Sequence, residues 1–152
     1  MKDKFIDAFM DIAERFAKLS TARRLQVGAV IVKDDCIIAH GYNGTPSGWD
    51  NNCEIEMPDG SLKTSDDVIH AEDNAIGKLA KSTNSGTGAT MFITHAPCRE
   101  CAKIIATAGI TRVIFRDIYR DLSGIEHLEK RGVKVVRLYI EESFPNYPQP
   151  AK

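Results

Sequence analysis

The chain is predicted to fold as an α/β protein, a three-layer α/β/α sandwich built on a mixed five-stranded sheet. Three observations lead there. Short β-branched runs alternate along most of the chain with stretches whose apolar residues recur at helical spacing. The first two β-type runs are separated only by Asp34-Asp35, so they can join only as an antiparallel hairpin. The last three are separated by helical stretches, and such crossovers make successive strands parallel.

Each element has its own warrant. Phe5, Phe9, Ile12, Phe16 and Leu19, with Ile6 and Ala13 beside them, form one wide apolar face and predict a helix over 3–19. The runs Val27 to Val32 and Cys36 to Ala39 predict strands over 26–33 and 36–42. Gly41-Tyr42-Asn43-Gly44-Thr45-Pro46-Ser47-Gly48 is too rich in turn residues to continue as strand. Residues 49–67 are polar without a period and are expected to form a loop; a loop of that length inside a domain is usually functional. Ala75, Ile76, Leu79 and Ala80 give a second helix its core face, from near Ile69 to about Lys81. Ala89 to Thr94 is a third strand. A third helix begins near Cys98, carries Ala102, Ile104, Ile105 and Ala108, and ends at Gly109, a residue suited to the position after a helix. Val113-Ile114-Phe115 is a fourth strand, Leu122, Ile125 and Leu128 mark a fourth helix ended by Gly132, and Val133 to Tyr139 is a fifth strand.

The 152 residues suit one domain, assigned to 1–141, followed by a proline-rich tail over 142–152. A net charge of -1 sets up no global basic field, so neither nucleic acid nor an anionic membrane is an expected partner. The N-terminus is amphipathic and charged, with no unbroken apolar segment of the kind that directs secretion, and no run approaches membrane-spanning length. The reading is cytoplasmic, with reduced thiols.

In that compartment the spacing of the cysteines points to metal. His70-Ala71-Glu72 stands at the start of the second helix, and Pro97-Cys98-Arg99-Glu100-Cys101 opens the third. One imidazole and two thiolates are three ligands suited to zinc, and a catalytic zinc takes three from the protein and leaves one position open. With Pro97 at the start of the third helix, Cys98 and Cys101 share one face of its first turn. Two helix N-termini aimed at one point favour the anions such a site gathers. Glu72, two residues after His70, can reach the site only because it lies at a helix start, and there it suits general acid–base work. A Cys-x-x-Cys pair alone is more often structural, and Cys53 could supply a fourth ligand. His40, His95 and His127 read as ordinary polar residues, and Cys36 as a buried strand residue.

Together these stretches resemble the zinc-dependent cytidine deaminase superfamily, whose signature is H-x-E followed by P-C-x-x-C, and within it the deoxycytidylate (dCMP) deaminases. His70 to Ile76 resembles H-A-E-x-N-A-I. Ala96 to Ala102 resembles the P-C-x-x-C-A segment. Val27 to Val32 with Gly41 to Gly48 resembles that family's hairpin and glycine-rich loop, and the likeness runs over about residues 20–140. It implies the cytidine deaminase-like fold and one catalytic Zn²⁺ at His70, Cys98 and Cys101. It implies Glu72 as proton shuttle, Asn43 at the sugar, Asn74 facing the site and the Ala71 N–H at the pyrimidine carbonyl. The implied reaction is hydrolysis of dCMP to dUMP and ammonia in pyrimidine deoxynucleotide metabolism. The implied assembly is a homo-hexamer, activated by dCTP and inhibited by dTTP, with Mg²⁺ accompanying the triphosphate near Gly41, Tyr42, Asn43 and Gly44. Arg23, Arg24 and Lys33 are cations that could balance that triphosphate. Some relatives carry Cys where this chain has Ala22 and hold a second, structural zinc, which is not expected here. A 5′-phosphate needs cationic or amide donors; Arg23, Arg24, Arg116, Tyr119 and Arg120 are the candidates. Two other readings use the same residues. One is an RNA-adenosine, free-base or nucleoside deaminase on this scaffold; the net charge of -1 and the absence of a basic cluster or stacking-aromatic stripe disfavour its RNA version. The other is a non-catalytic zinc module, which would have no use for Glu72.

Overall fold

The computed structural model describes residues 1–118 and 121–139. The expected tail and the candidates Tyr119 and Arg120 lie outside them. The elements run α1 (Asp3–Ala17), β1 (Gly28–Lys33), β2 (Cys36–Tyr42), β3 (Glu54–Glu56), β4 (Leu62–Thr64), α2 (Ala71–Ala80), β5 (Thr90–His95), α3 (Arg99–Thr107), β6 (Arg112–Asp117), α4 (Ser123–Lys130) and β7 (Lys134–Arg137).

The main sheet has the order β2-β1-β5-β6-β7. β1 and β2 are antiparallel and meet through a two-residue turn in which Asp34 and Asp35 both take positive φ, at 50° and 59°. That is the turn whose twist suits a hairpin. β5, β6 and β7 are parallel to one another, as the helical crossovers require, and β1 pairs antiparallel to β5. The sheet is therefore mixed and five-stranded, as expected.

Alternation along the strands separates two cores. Ala29, Ile31, Met91, Ile93 and Val113 face one side, against Ala71, Ala75 and Leu79 of α2, Ala102 and Ile105 of α3, and Leu128 of α4. Val30, Val32, Phe92 and Ile114 face the other, against Phe9, Met10 and Ala13 of α1. One layer is a single helix and the other is three. Gly109 and Gly132, at φ +87° and +77°, end α3 and α4 in the conformation that glycine adopts without strain.

Three details differ from the sequence reading. The segment 49–67 is not all loop: β3 and β4 form a small antiparallel sheet of their own. Its pattern is inverted relative to an ordinary strand, because Glu54 is 2% exposed and Ile55 is 53% exposed. Pro97 stands one residue before the cap of α3, since Cys98 is the N-cap. Cys36 is exposed, because it opens β2 at the edge of the sheet.

Candidate active site

Two helix starts meet beside the sheet. His70 is the N-cap residue of α2, with extended backbone, so its side chain projects from the helix end. Cys98 is the N-cap of α3, and its sulfur accepts a hydrogen bond from the Cys101 N–H at 3.5 Å. A cap that accepts from the first turn satisfies one of the donors a helix leaves open. The beginning of α4 backs this turn: a Cβ on Gly124 would overlap the Pro97 carbonyl, so only glycine lets α4 pack so near.

His70 Nδ1 lies 3.1 Å from Cys101 Sγ and 3.8 Å from Cys98 Sγ. A tetrahedral zinc, with bonds of about 2.3 Å to sulfur and about 2.0–2.1 Å to nitrogen, sets nitrogen and sulfur roughly 3.5 Å apart. The two observed distances straddle that value. All three donor atoms fall within 4.8 Å of one another, and they are the one such His/Cys/Asp/Glu group among the described residues. The donor chemistry and its spacing fit zinc.

The surrounding charges agree. Hydrogen bonds from Cys101 and His70 hold the Cys98 thiol down at about 4, against the opposing effect of burial. The hydrogen bond to Cys98 raises His70 to about 8. Cys101 is driven upward by the Cys98 thiolate and by burial, so it keeps the proton that a metal would displace. Asp73 adds a carboxylate behind the donors, with Oδ2 3.9 Å from Cys101 Sγ and Oδ1 buried without a hydrogen-bond partner. A buried oxygen left so is costly unless positive charge lies near.

His70, Ala71, Glu72, Ala96 and Cys98 line one wall of a cavity of about 210 Å³. That exceeds the roughly 150 Å³ hole that accepts a benzene, so a six-membered ring fits. Glu72 is buried, and burial pushes its carboxyl up to about 7, with the Cys101 hydrogen bond and His70 opposing. Ala71 is the first residue of α2, so its N–H has no helical acceptor and is available to a ligand.

A second wall comes from the segment before β1 and from the small sheet: Ala22, Arg24, Leu25, Cys53, Glu54 and Thr64. Asn43 joins it, but its amide is already engaged at both ends. Oδ1 accepts from the Val27 N–H and Nδ2 donates to the Leu25 carbonyl, each at 2.8 Å. One lone pair and one N–H remain for a ligand. Cys53 is buried and stands outside the donor group, with Sγ 3.5 Å from Thr21 Oγ1.

Several expected site residues are placed elsewhere. Asn74 does not line the cavity; its Nδ2 donates to the Tyr42 carbonyl at 2.8 Å and ties α2 to the end of β2. Gly41 serves the same contact, since a Cβ there would come 2.5 Å from the Ala71 carbonyl oxygen and 2.6 Å from the Ala75 nitrogen. The backbone N–H groups of Asn43 and Gly44 are not open to a phosphate: they donate to Val27 and Ile69 carbonyls at 3.2 and 3.1 Å. Lys33 sits at the opposite end of the β1–β2 hairpin from Tyr42. Arg116 turns to α1, where it pairs with Glu14 at 3.1 Å and Asp11 at 3.9 Å. Of the phosphate candidates among the described residues, Arg24 alone lines the cavity.

The cavity also includes residues the sequence did not single out: Glu54, Thr64, and His95, which ends β5 and bonds Thr94 Oγ1 at 2.9 Å. Nothing in residue type marked these three. The position of His95, three residues before Cys98, was the one usable signal.

Comparison with known proteins agrees with this geometry. Residues 3–117 match the cytidine and deoxycytidylate deaminase zinc-binding region. The chain belongs to that family. It is 37% identical over 139 residues to ComE operon protein 2 of Bacillus subtilis, covering 88% of this chain and 71% of that protein. It is 35% identical over 117 residues to the deoxycytidylate deaminase of Mycobacterium phage D29, covering 70% and 90%. Among solved structures, the dCMP deaminase of cyanophage S-TIM5 in complex with dCMP and dUMP superposes with a TM-score of 0.84 at 46% identity, over 91% of this chain and 99% of that one.

Proposed function

We propose that this chain hydrolyses dCMP to dUMP and ammonia. The observation that carries the reading is the cluster of the His70, Cys98 and Cys101 donors beside a ring-sized cavity that His70, Cys98 and the buried Glu72 line. The choice of dCMP is supported by the 46% identical cyanophage enzyme, whose structure contains dCMP and dUMP.

His70, Cys98 and Cys101 would hold the zinc. When bound, zinc supplies the Lewis acidity that lowers the pKa of a water to about 7. Glu72 takes a proton from the attacking water and hands protons to ring N3 and to the departing 4-amino group. The new C4–O bond and the broken C4–N bond then balance as one water consumed and one ammonia released. A carboxyl that burial has brought near neutrality can do both halves of that work. The Ala71 N–H serves the pyrimidine carbonyl, the remaining hydrogen-bonding capacity of Asn43 serves the sugar, and Arg24 serves the 5′-phosphate. A cytoplasmic setting, in which thiols stay reduced, suits the donor set.

The same reading carries a homo-hexamer, dCTP activation and dTTP inhibition with Mg²⁺, on the strength of the glycine-rich loop's resemblance. Ammonia release from dCMP, deoxycytidine, cytosine and adenosine, assayed in parallel, tests the activity. The expected order puts dCMP first. Faster release from adenosine or cytosine would replace this reading.

A further inference from the structure

We propose that Glu54 is a positioning residue for substrate recognition, a buried carboxylate that fixes the backbone of Arg23 and Arg24 and thereby aims the Arg24 guanidinium into the cavity. The inference rests on the dCMP reading above and names the device that would set its selectivity for a phosphorylated substrate.

The observation is a division of labour between two adjacent arginines around one acid. Glu54 is 2% exposed, yet it belongs to a three-residue strand at the surface whose next residue, Ile55, is turned out to solvent. Glu54 Oε1 accepts the backbone N–H groups of both Arg23, at 2.5 Å, and Arg24, at 3.0 Å. Oε2 lies 3.5 Å from Arg23 Nε. Burial opposes the charge on this carboxyl, but the two amide donors and the Arg23 side chain outweigh it and hold its pKa below the ordinary range. Arg23 thus neutralises Glu54.

Arg24 is left differently. No carboxylate pairs with its guanidinium among the described residues; Nη1 donates to Thr64 Oγ1 at 3.2 Å, a neutral partner on the neighbouring strand of the same small sheet. Arg24 is also the one Lys or Arg among the described residues that line the cavity. The small sheet therefore grips the Arg23–Arg24 segment twice, by main chain through Glu54 and by side chain through Thr64. A cation held at both ends and still unmatched in charge is prepared for an anionic substituent on whatever enters. Glu54 itself does not repel that anion strongly, because its own charge is compensated on the spot.

The experiment compares kcat/KM for dCMP with that for deoxycytidine, which lacks the phosphate. The dCMP-to-deoxycytidine ratio should fall at least about tenfold in Arg24→Ala, the size expected for a lost hydrogen bond to a charged group. In Glu54→Gln it should fall several-fold, through KM for dCMP rather than kcat. Arg24→Lys should recover part of the loss. The Glu54→Gln/Arg24→Ala double variant should lose less than the product of the two single effects, as residues acting through one another do. Circular dichroism and thermal melts establish that each variant is folded, and Glu54→Gln keeps the shape should Glu54→Ala fail. A Glu54→Gln variant that slows both substrates equally would reduce Glu54 to a structural prop and overturn the inference. An unchanged ratio in Arg24→Ala would overturn it too, while leaving dCMP deamination intact. Wild-type protein that releases no ammonia from dCMP would fail the functional reading, and this inference with it.

Discussion

At the scale of single residues, the site depends on where two helices begin. His70 and Cys98 are both N-cap residues. Cap residues leave the helical path, and so they can project a donor past the helix end, where the dipole is positive. Glu72 lies inside the first turn of α2 and is buried beside them. The proposed roles separate cleanly under substitution. Cys98→Ala should lose zinc and activity together. Glu72→Gln should keep zinc, because glutamine replaces an acid that is not one of the three donors, and yet lose at least about 10²–10⁴-fold in kcat. Zinc content by elemental analysis alongside initial rates checks both. Full zinc in Cys98→Ala, or most of the rate in Glu72→Gln, would contradict the assignment.

At the scale of elements, the contact between β2 and α2 holds the glycine-rich loop against the site. Gly41 allows that approach, and the Asn74 amide locks it through the Tyr42 carbonyl. The loop continues into a reciprocal bridge between Gly44 and Ile69, the residue before His70, with bonds of 3.1 and 2.8 Å. A strain at Gly41 should therefore be felt at His70, the proposed metal ligand. Gly41→Ala places a methyl group against main chain of α2 at distances no Cβ tolerates, and neither backbone can yield as a side-chain tip could. The expected loss of stability is about 1–3 kcal/mol, the range for an overpacked interior. Urea unfolding monitored by the far-ultraviolet signal measures it. Unchanged stability would mean that α2 can move off β2 at little cost.

At the scale of the whole molecule, the proposed control by dCTP and dTTP needs two states and more than one site. An effector shifts activity only by binding one state better, typically with about 1–3 kcal/mol of coupling. The structure narrows how the Gly41–Gly48 loop could take part. The N–H groups of Asn43 and Gly44 are committed to Val27 and Ile69, so a triphosphate there would rely on side chains or on rearranged main chain. A hexamer with such sites should give a sigmoidal dependence of rate on dCMP, made hyperbolic by dCTP with Mg²⁺ and more sigmoidal by dTTP. Light scattering should give a mass six times that of the chain. Superimposable rate curves in all three conditions would leave the chemistry without the control, and a lone chain in solution would remove the assembly.

The amino-acid sequence by itself determined the order of the main elements, the antiparallel hairpin, the parallel crossovers and the cluster of His70, Cys98 and Cys101. Each of these follows from local chemistry. Apolar spacing selects helix or strand, a two-residue Asp34-Asp35 link permits only a hairpin, and imidazole and thiols at helix starts have few other uses in combination. Only the tertiary structure decided which cations and amides face the cavity. Arg116 and Arg24 are the same residue type, but Arg116, within β6, is drawn to Asp11 and Glu14 of α1, while Arg24, in the segment before β1, lines the cavity. Asn74 has the helical phase to face the site, yet the Tyr42 carbonyl claims it. The small β3–β4 sheet was hidden for a related reason. Its buried residue is the charged Glu54 and its exposed one is Ile55, so the pattern that announces a strand is reversed. Burial of Glu54 is favourable only because two N–H groups some thirty positions earlier in the chain stand ready to receive it. A partner so distant leaves no mark in the local pattern, and it exists only once the chain has folded.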